Sequence, residues 1–544
     1  MSSTKRPETG PTLYARNATG LVRALPLWDV VLFNAASTAP VGAALAVTLF
    51  YIGSSFPRAN IIAAILIALA LCLLMWVAFA LLGAAMPKVG GDYVFNGRIL
   101  HPALGLAGNV AAFIAAWMAA GFWAVEGARA GVGPVLTIIG TVTGNPSWVA
   151  WGARVSTDGW VFGIAAGILV ILTALSLFGT KIVVRVMSIM YLVSLVGVLI
   201  SIIVMAFVSQ ASFIAHLNAF SAPYTHQANT YQSTIAGASK AGLALPTTSG
   251  FSVSNTIGAV YAVLGGAILW VWWGVYMSPE TRGGGRRSRQ LKAILGSGLG
   301  QGLIVLIAAL VFLKTVGYDF LASASAGHYG VPVPPYFNFF TAVAVGSKVL
   351  AVLLSVLFVF AFFPATYINI AMCHRAPFAW AFDGIAPRKL ASIDERTHTP
   401  AVAIILTLVI TVPTAAWAAY SSSFATVIGL FTLFGMVTIL ITGFSALLMP
   451  WLRPEFYRGS EADWRIWKVP VLPVAGAGAI GFAIFCMIDA AVFHTQNGVS
   501  NVVWMVILPW VIVIGSALYY FGAQAVQRRR GLDLSLVYKT IPPD

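Results

Sequence analysis

The apolar positions of this chain gather into runs of about 20 residues, long enough to cross a bilayer as helices, rather than into the short alternating stripes of a soluble fold. Twelve such spans are predicted, beginning near Leu25, Asn60, Leu104, Gly159, Ile182, Asn255, Ala293, Ser347, Ala401, Phe424, Val471 and Val502. Two of them are interrupted. The first reads FNAASTAPVGA, with Asn34, Pro40 and Gly42 inside an apolar segment; the sixth reads LGGAILWVWWGVYMSPE, with Gly265, Gly266, Gly274 and Pro279. In hydrocarbon an unpaired N–H or C=O costs several kcal/mol, so freed backbone persists only where protein, water or a ligand satisfies it. A bound solute is one such partner, which makes the two breaks the candidate binding site.

Composition fixes the class. With 59% hydrophobic and 9% charged residues and a mean hydropathy of +0.89 over 544 residues, the chain reads as an all-α polytopic membrane protein. The first apolar run follows a polar lead, exceeds a signal-peptide core and lacks a small-residue cleavage site, so it counts as a span. An even span number puts both termini on one side. Of the 31 Lys and Arg, all but Arg58, Arg129, Arg154, Lys240, Lys314 and Lys348 fall on that side, which the positive-inside rule makes cytoplasmic; the expected location is the cell membrane. The net charge of +15 is then a topology signal. Arg286, Arg287 and Arg289 suit anionic lipid and call for no nucleic acid. Cys72, Cys373 and Cys486 show no spacing for a metal or a disulfide.

The breaks in spans one and six divide the chain. Residues 1–24 form a cytoplasmic tail, 25–209 a first five-helix repeat, 210–253 an extracellular loop, 254–449 a second five-helix repeat, 450–524 accessory helices eleven and twelve, and 525–544 a cytoplasmic tail. Units of five spans have opposite orientations, the inverted repeat of many secondary transporters, with the site at the midplane between halves. Chance placement of Gly and Pro, both common in membrane helices, is the competing account. The outer loop, rich in Ser, Thr, Ala and Asn, has room for a short surface helix. The run VPPYFNFFTAVAVG before Lys348 predicts a short extracellular helix suited to a lid.

Four connecting motifs carry a resemblance. MPKVGGDYVFNGRILHPALG spans Met86 to Gly105 between spans two and three, with a turn at Pro87, Gly90, Gly91 and Tyr93. CHRAPFAWAFDGIAP, Cys373 to Pro387, is read as the loop after span eight, with Arg375, Ala379, Asp383, Gly384 and Pro387 at fixed offsets. LFGTK separates spans four and five, and SPETRGGGRRSRQLKA follows span six. Over residues 20 to 450 these resemble the amino acid/polyamine/organocation permease superfamily. The resemblance implies a leucine-transporter-type 5+5 inverted repeat plus two accessory helices, carrying an amino acid by alternating access.

By position, the family's Gly-x-Gly unwinding, whose amides receive a substrate carboxylate, falls on Pro40, Val41 and Gly42. Proline has no N–H, so the carboxylate would use Val41, Gly42 or the hydroxyls of Ser37 and Thr38. The family's aromatic-small-aromatic segment of span six is matched by Trp270, Val271, Trp272, Trp273 and Gly274. Interfacial packing is the plainer role for any one of these rings. Ser194 stands where some proton-driven relatives have a lysine, and Thr366 is the hydroxyl in span eight available to a sodium ion. Together they make a candidate ion site, unless both bond back to their own helices. The coupling ion, H+ or Na+, stays open, and no cofactor or metal is expected. Glu126 and Arg129 lie about 33 and 38 Å along span three at 1.5 Å per residue, at the outer rim, where they form an i, i+3 ion pair or an outer gate.

With no fixed charge at the midplane, the substrate is expected to be a neutral amino acid, apolar or aromatic. The runner-up is a polyamine or cationic amino acid, held by indole faces. A nucleobase or other organic cation carrier and a channel rank lower, since no filter motif repeats. GAGAIG, Gly476 to Gly481, fits a dinucleotide fingerprint but lacks the strand and acidic partner; small residues for helix approach explain it. No catalytic pattern appears, so an enzyme is not expected.

Overall fold

The computed structural model describes residues 25–37, 41–331, 336–397, 399–421 and 424–541. Among these, eleven helices are long and apolar enough to cross a membrane: Ile61–Ala85, Pro102–Thr143, Asp158–Ser176, Thr180–Phe207, Val253–Glu280, Arg287–Val316, Lys348–Phe382, Ala401–Tyr420, Thr426–Leu452, Val471–Val492 and Val502–Arg529. The remaining span, the first, consists of two shorter helices, Leu27–Ser37 and Val41–Ser55. The break expected in this span falls on residues 38–40, outside the described residues.

The sixth span changes its winding twice. It is α-helical over Val253–Val263, passes through a π turn at Leu264–Ile268, and runs as a 3₁₀ helix over Leu269–Glu280. Gly265 and Gly266 fall inside the π turn, where the absence of side chains removes the crowding that holds a helix to one pitch. Twelve residues of 3₁₀ helix is a long run, because its hydrogen-bond geometry is poorer than that of an α-helix and most such pieces span three or four residues. The third span likewise passes through a π turn, Gly127–Val132.

Burial separates centre from rim. In the most apolar window of each span, 94% of the sixth is buried inside the protein against 17% of the twelfth, so the broken span is the axis of the bundle and the twelfth faces lipid. Exposed Leu518, Val511, Ile171 and Val409 are accordingly lipid-facing, apolar surface that a bilayer accepts and water would not.

Two connections are more ordered than the sequence suggested. The 210–253 stretch holds three helices, Gln210–Thr225, Thr230–Lys240 and Pro246–Ser249, with Tyr231 stacked on Phe320 at 4.4 Å. The expected short helix before span eight is Phe337–Val345, packed through Phe340 on Phe312 and Phe320. One expectation is corrected. Cys373 to Phe382, read as a loop, continues the eighth span as helix through Pro377, and the turn begins at Asp383 and Gly384, whose φ is +83°. A proline deletes a single N–H, and here the surrounding buried side chains hold the helix together.

Candidate functional site

The first and sixth spans meet at Asn34 and Gly274. A Cβ placed on Gly274 would lie 2.2 Å from Asn34 Nδ2, so only a glycine lets the sixth-span backbone close on that amide. Asn34 is fully buried, and its Nδ2 donates to the Ala293 carbonyl at 3.4 Å, tying the first span to the seventh. The irregular backbone at Ile268, φ −132° and ψ −13°, frees carbonyls of the preceding turn. Trp270 Nε1 donates to one of them, Gly265, at 2.8 Å.

The three indoles wall this point differently. Trp270 packs on Phe431 of the tenth span at 5.6 Å and fits over Gly435, where a Cβ would meet the ring at 2.8 Å. Trp273 lies on Trp270 at 4.9 Å, and Trp272 turns to Phe79 of the second span at 4.6 Å. Val271 is buried beside them. The indole N–H groups of Trp272 and Trp273 are buried with no acceptor among the described residues. Such a group costs about 1–3 kcal/mol, so two unspent donors border the break. Truncating Trp272 to alanine is expected to cost about 3–5 kcal/mol, read as a lower melting temperature, and to broaden substrate competition. An unchanged melt and an unchanged competition panel would remove the ring from both roles.

On the first span, Ser37 closes the helix Leu27–Ser37 and Val41 and Gly42 open Val41–Ser55. Thr38 and Pro40 lie outside the described residues, as do the side chains of Ser37 and Val41. Ser194 Oγ donates to the Tyr191 carbonyl and Thr366 Oγ1 to the Phe362 carbonyl, both at 2.8 Å. Each proton is spent on its own helix, which leaves oxygen lone pairs free to accept. At the far end of span three Glu126 is buried. Arg129 donates to Asp158 at 3.2 Å and to the Ala418 and Ala419 carbonyls, so it ties the third span to the fourth and ninth rather than closing an i, i+3 pair.

A second constellation closes the face that carries Leu25 and the segment after Arg529. Leu25 N–H donates to the Glu280 carbonyl at 3.0 Å and Arg282 N–H to the Leu25 carbonyl at 2.9 Å, so the stretch entering the first span is zipped to the end of the sixth. Arg375 holds that end from the eighth span, with Nη2 2.6 Å from Glu280 Oε1 and Nη1 donating to the Tyr276 carbonyl at 3.0 Å. A small cleft borders this ion pair, lined by Thr180 of the LFGTK motif, Ser176, Tyr367 and His374.

The connecting motifs converge here for a steric reason. A Cβ on Gly90 would lie 2.7 Å from Ala379 Cβ, and one on Gly91 2.8 Å from Val275 Cγ2; both glycines also have positive φ, +96° and +47°. The turn thus presses on the eighth span through one glycine and on the sixth through the other. Arg98 and Asp383 form a buried ion pair at 3.0 Å, the Arg98 guanidinium lies 5.2 Å from the Tyr538 ring centre, and Tyr93 and Tyr538 share a hydroxyl contact at 2.7 Å.

Sequence reading missed the polar cluster beneath this turn. Asp92 Oδ1 accepts from the Tyr276 hydroxyl and, at 3.1 Å, from Asn109 Nδ2. Trp380 Nε1 donates to Asn109 Oδ1 at 2.7 Å. The available signal was an acid set between a glycine pair and an apolar helix.

A bundle of membrane-spanning helices packed around an irregularly wound sixth span suits a solute carrier. The chain matches the family described as Amino acid permease over residues 28–517, and it belongs to that family: it is a multi-pass membrane transporter of the amino acid permease class rather than an enzyme. A comparison with curated proteins finds no match.

Proposed function

We propose that this permease carries neutral amino acids with apolar or aromatic side chains across the cell membrane by alternating access, with both termini in the cytoplasm. The observation that carries the reading is the close approach of Gly274 to Asn34. It joins the first and sixth spans at a point bordered by the indoles of Trp270 and Trp273. A half-helix N-terminus offers N–H donors and about half a positive charge, and a half-helix C-terminus offers carbonyls and the opposite charge. A zwitterion suits that pair of ends. The carboxylate falls to Val41, Gly42, Ser37 and Thr38, the side chain to the tryptophans. Glu126 and Arg129 stand at the outer end as gate residues, and Ser194 and Thr366 form the ion site.

A polyamine or cationic amino acid is the second reading, favoured by indole faces that attract cations by about 0.5–2 kcal/mol. Uptake of a radiolabelled amino acid mixture by purified protein in liposomes separates the two. Protein driven by a pH gradient, a sodium gradient or internal amino acid is expected to accumulate label under at least one driver. No accumulation in folded protein under any of them, with polyamine competing for binding, overturns the neutral reading. If sodium is the driver, Thr366→Ala is expected to raise the sodium concentration for half-maximal uptake about fivefold, the equivalent of about 1 kcal/mol for one oxygen partner. An unaltered sodium requirement rejects the site.

A further inference from the structure

Asp92 is an unusual acid for its surroundings. It is fully buried, sits at the start of the short helix Asp92–Ile99 between spans two and three, and is paired with no cation among the described residues. The two nearby guanidinium groups are already committed, Arg98 to Asp383 and Arg375 to Glu280. Its two hydrogen-bond donors, the Tyr276 hydroxyl and Asn109 Nδ2, are neutral and both meet Oδ1, while Oδ2 is buried without a partner. A carboxylate in this setting has little to offset the loss of hydration.

Three elements close on it. The sixth span contributes Tyr276 and, one turn on, Glu280 with its Arg375 partner. The third contributes Asn109, held by Trp380 from the eighth. Its own helix contributes Tyr93 and Arg98, turned to Tyr538 and Asp383; the eighth also carries His374, which borders the cleft beside Arg375. None of these groups places a positive charge on Asp92. Tyr276 belongs to the half-helix whose end is zipped to Leu25, so the contact that buries Asp92 is made by the element that seals this face.

We propose that Asp92 is a proton-binding site of the permease: Oδ2 takes up a proton as the sixth-span half-helix closes on the cytoplasmic face, and returns it to water as that half-helix withdraws. The proposal rests on the reading of this chain as an alternating-access carrier with that face inside. The step is a protonation and nothing more. One proton from water bonds to Oδ2, leaving Oδ1 as the carbonyl that accepts from Tyr276 and Asn109, and the same proton leaves to water when the cluster opens.

The sign follows from linkage. Burial, opposed by the Tyr276 and Asn109 hydrogen bonds, pushes the Asp92 carboxyl up to about 7 in the closed arrangement, whereas a hydrated aspartate titrates near 4. The closed gate then binds the proton more tightly. Its advantage is fully present below about pH 4 and is lost as pH rises through about 7. Cytoplasmic acid therefore holds the gate shut. Exchange limited by gate opening is expected to fall about tenfold between pH 8 and pH 6.

Two measurements test it. Infrared titration of the purified protein in lipid is expected to show the carbonyl stretch of a protonated carboxylic acid that titrates near pH 7 and is missing in Asp92→Asn. Amino acid counterflow in liposomes is expected to show the tenfold fall in the wild type, a flat and slow profile in Asp92→Asn, and a midpoint moved to higher pH in Tyr276→Phe, which keeps the ring and loses the donor. A band that titrates in the ordinary carboxylate range, or one that survives in Asp92→Asn, overturns the proposal, as does a pH profile shared by all three proteins. Counterflow absent from the wild type while the band titrates as expected overturns the carrier reading and leaves the proton site standing.

Discussion

Replacing Gly274 with valine is expected to abolish uptake, by more than about tenfold, in protein that still inserts and purifies as a single species. A Cβ there would meet Asn34 Nδ2, Oδ1 and Cγ at 2.2, 2.4 and 2.6 Å, distances at which something must move. The amide is not free to yield, because its Nδ2 is bonded to the Ala293 carbonyl of the seventh span. The sixth span would have to withdraw from the first, at an overpacking cost of about 1–3 kcal/mol, and the contact between the two spans would be lost. Gly163→Ala is the control, since nothing lies within 4 Å of a Cβ at that position. Uptake by Gly274→Val equal to that of Gly163→Ala would detach the site from this contact.

Removing the guanidinium of Arg375 is the second change of large expected effect. Arg375→Met leaves Glu280 buried at 3% exposure with its carboxylate uncompensated, and breaking a buried pair from one side costs about 3–5 kcal/mol. The same guanidinium also bonds the Tyr276 carbonyl, so the half-helix loses two anchors together. A lower melting temperature and loss of accumulation are expected. Glu280→Gln placed on top of Arg375→Met is expected to restore much of the melting temperature, since it removes the stranded charge. Additive losses in that double-mutant cycle would mean that the pair does not act as a unit.

The spans were legible because a bilayer asks for one long apolar run per crossing and the chain supplies them at intervals. The change of winding in the sixth span was legible for a related reason: Gly265 and Gly266 stand out only against an apolar background. Contacts between elements far apart in sequence were not. Nothing near Gly90 announces that Ala379 will press against it, and nothing near Asp92 announces that Tyr276 and Asn109 will supply its hydrogen bonds. Each of those facts depends on how spans three, six and eight pack. The reading of Cys373 to Phe382 as a loop failed because Arg375 and His374 look like residues bound for water. The first is buried by its ion pair with Glu280, which local composition does not reveal. Ser194 and Thr366 show the converse, hydroxyls conspicuous in sequence whose protons are spent within their own helices.

The half-helix Leu269–Glu280 works as a screw wound at the longer of two pitches, with fewer residues in each turn. Three residues per turn and a rise of about 2.0 Å make its 12 residues about 24 Å long, where α-helical winding would make them about 18 Å. Each residue that relaxes from the first form to the second draws the far end in by about 0.5 Å and rotates it by about 20°. Three or four such residues turn the end by well over half a right angle while the backbone remains helical throughout. A rotation of that size would carry Glu280 off Arg375 and Tyr276 off Asp92 in one movement, so the two contacts of this face hang on a single thread.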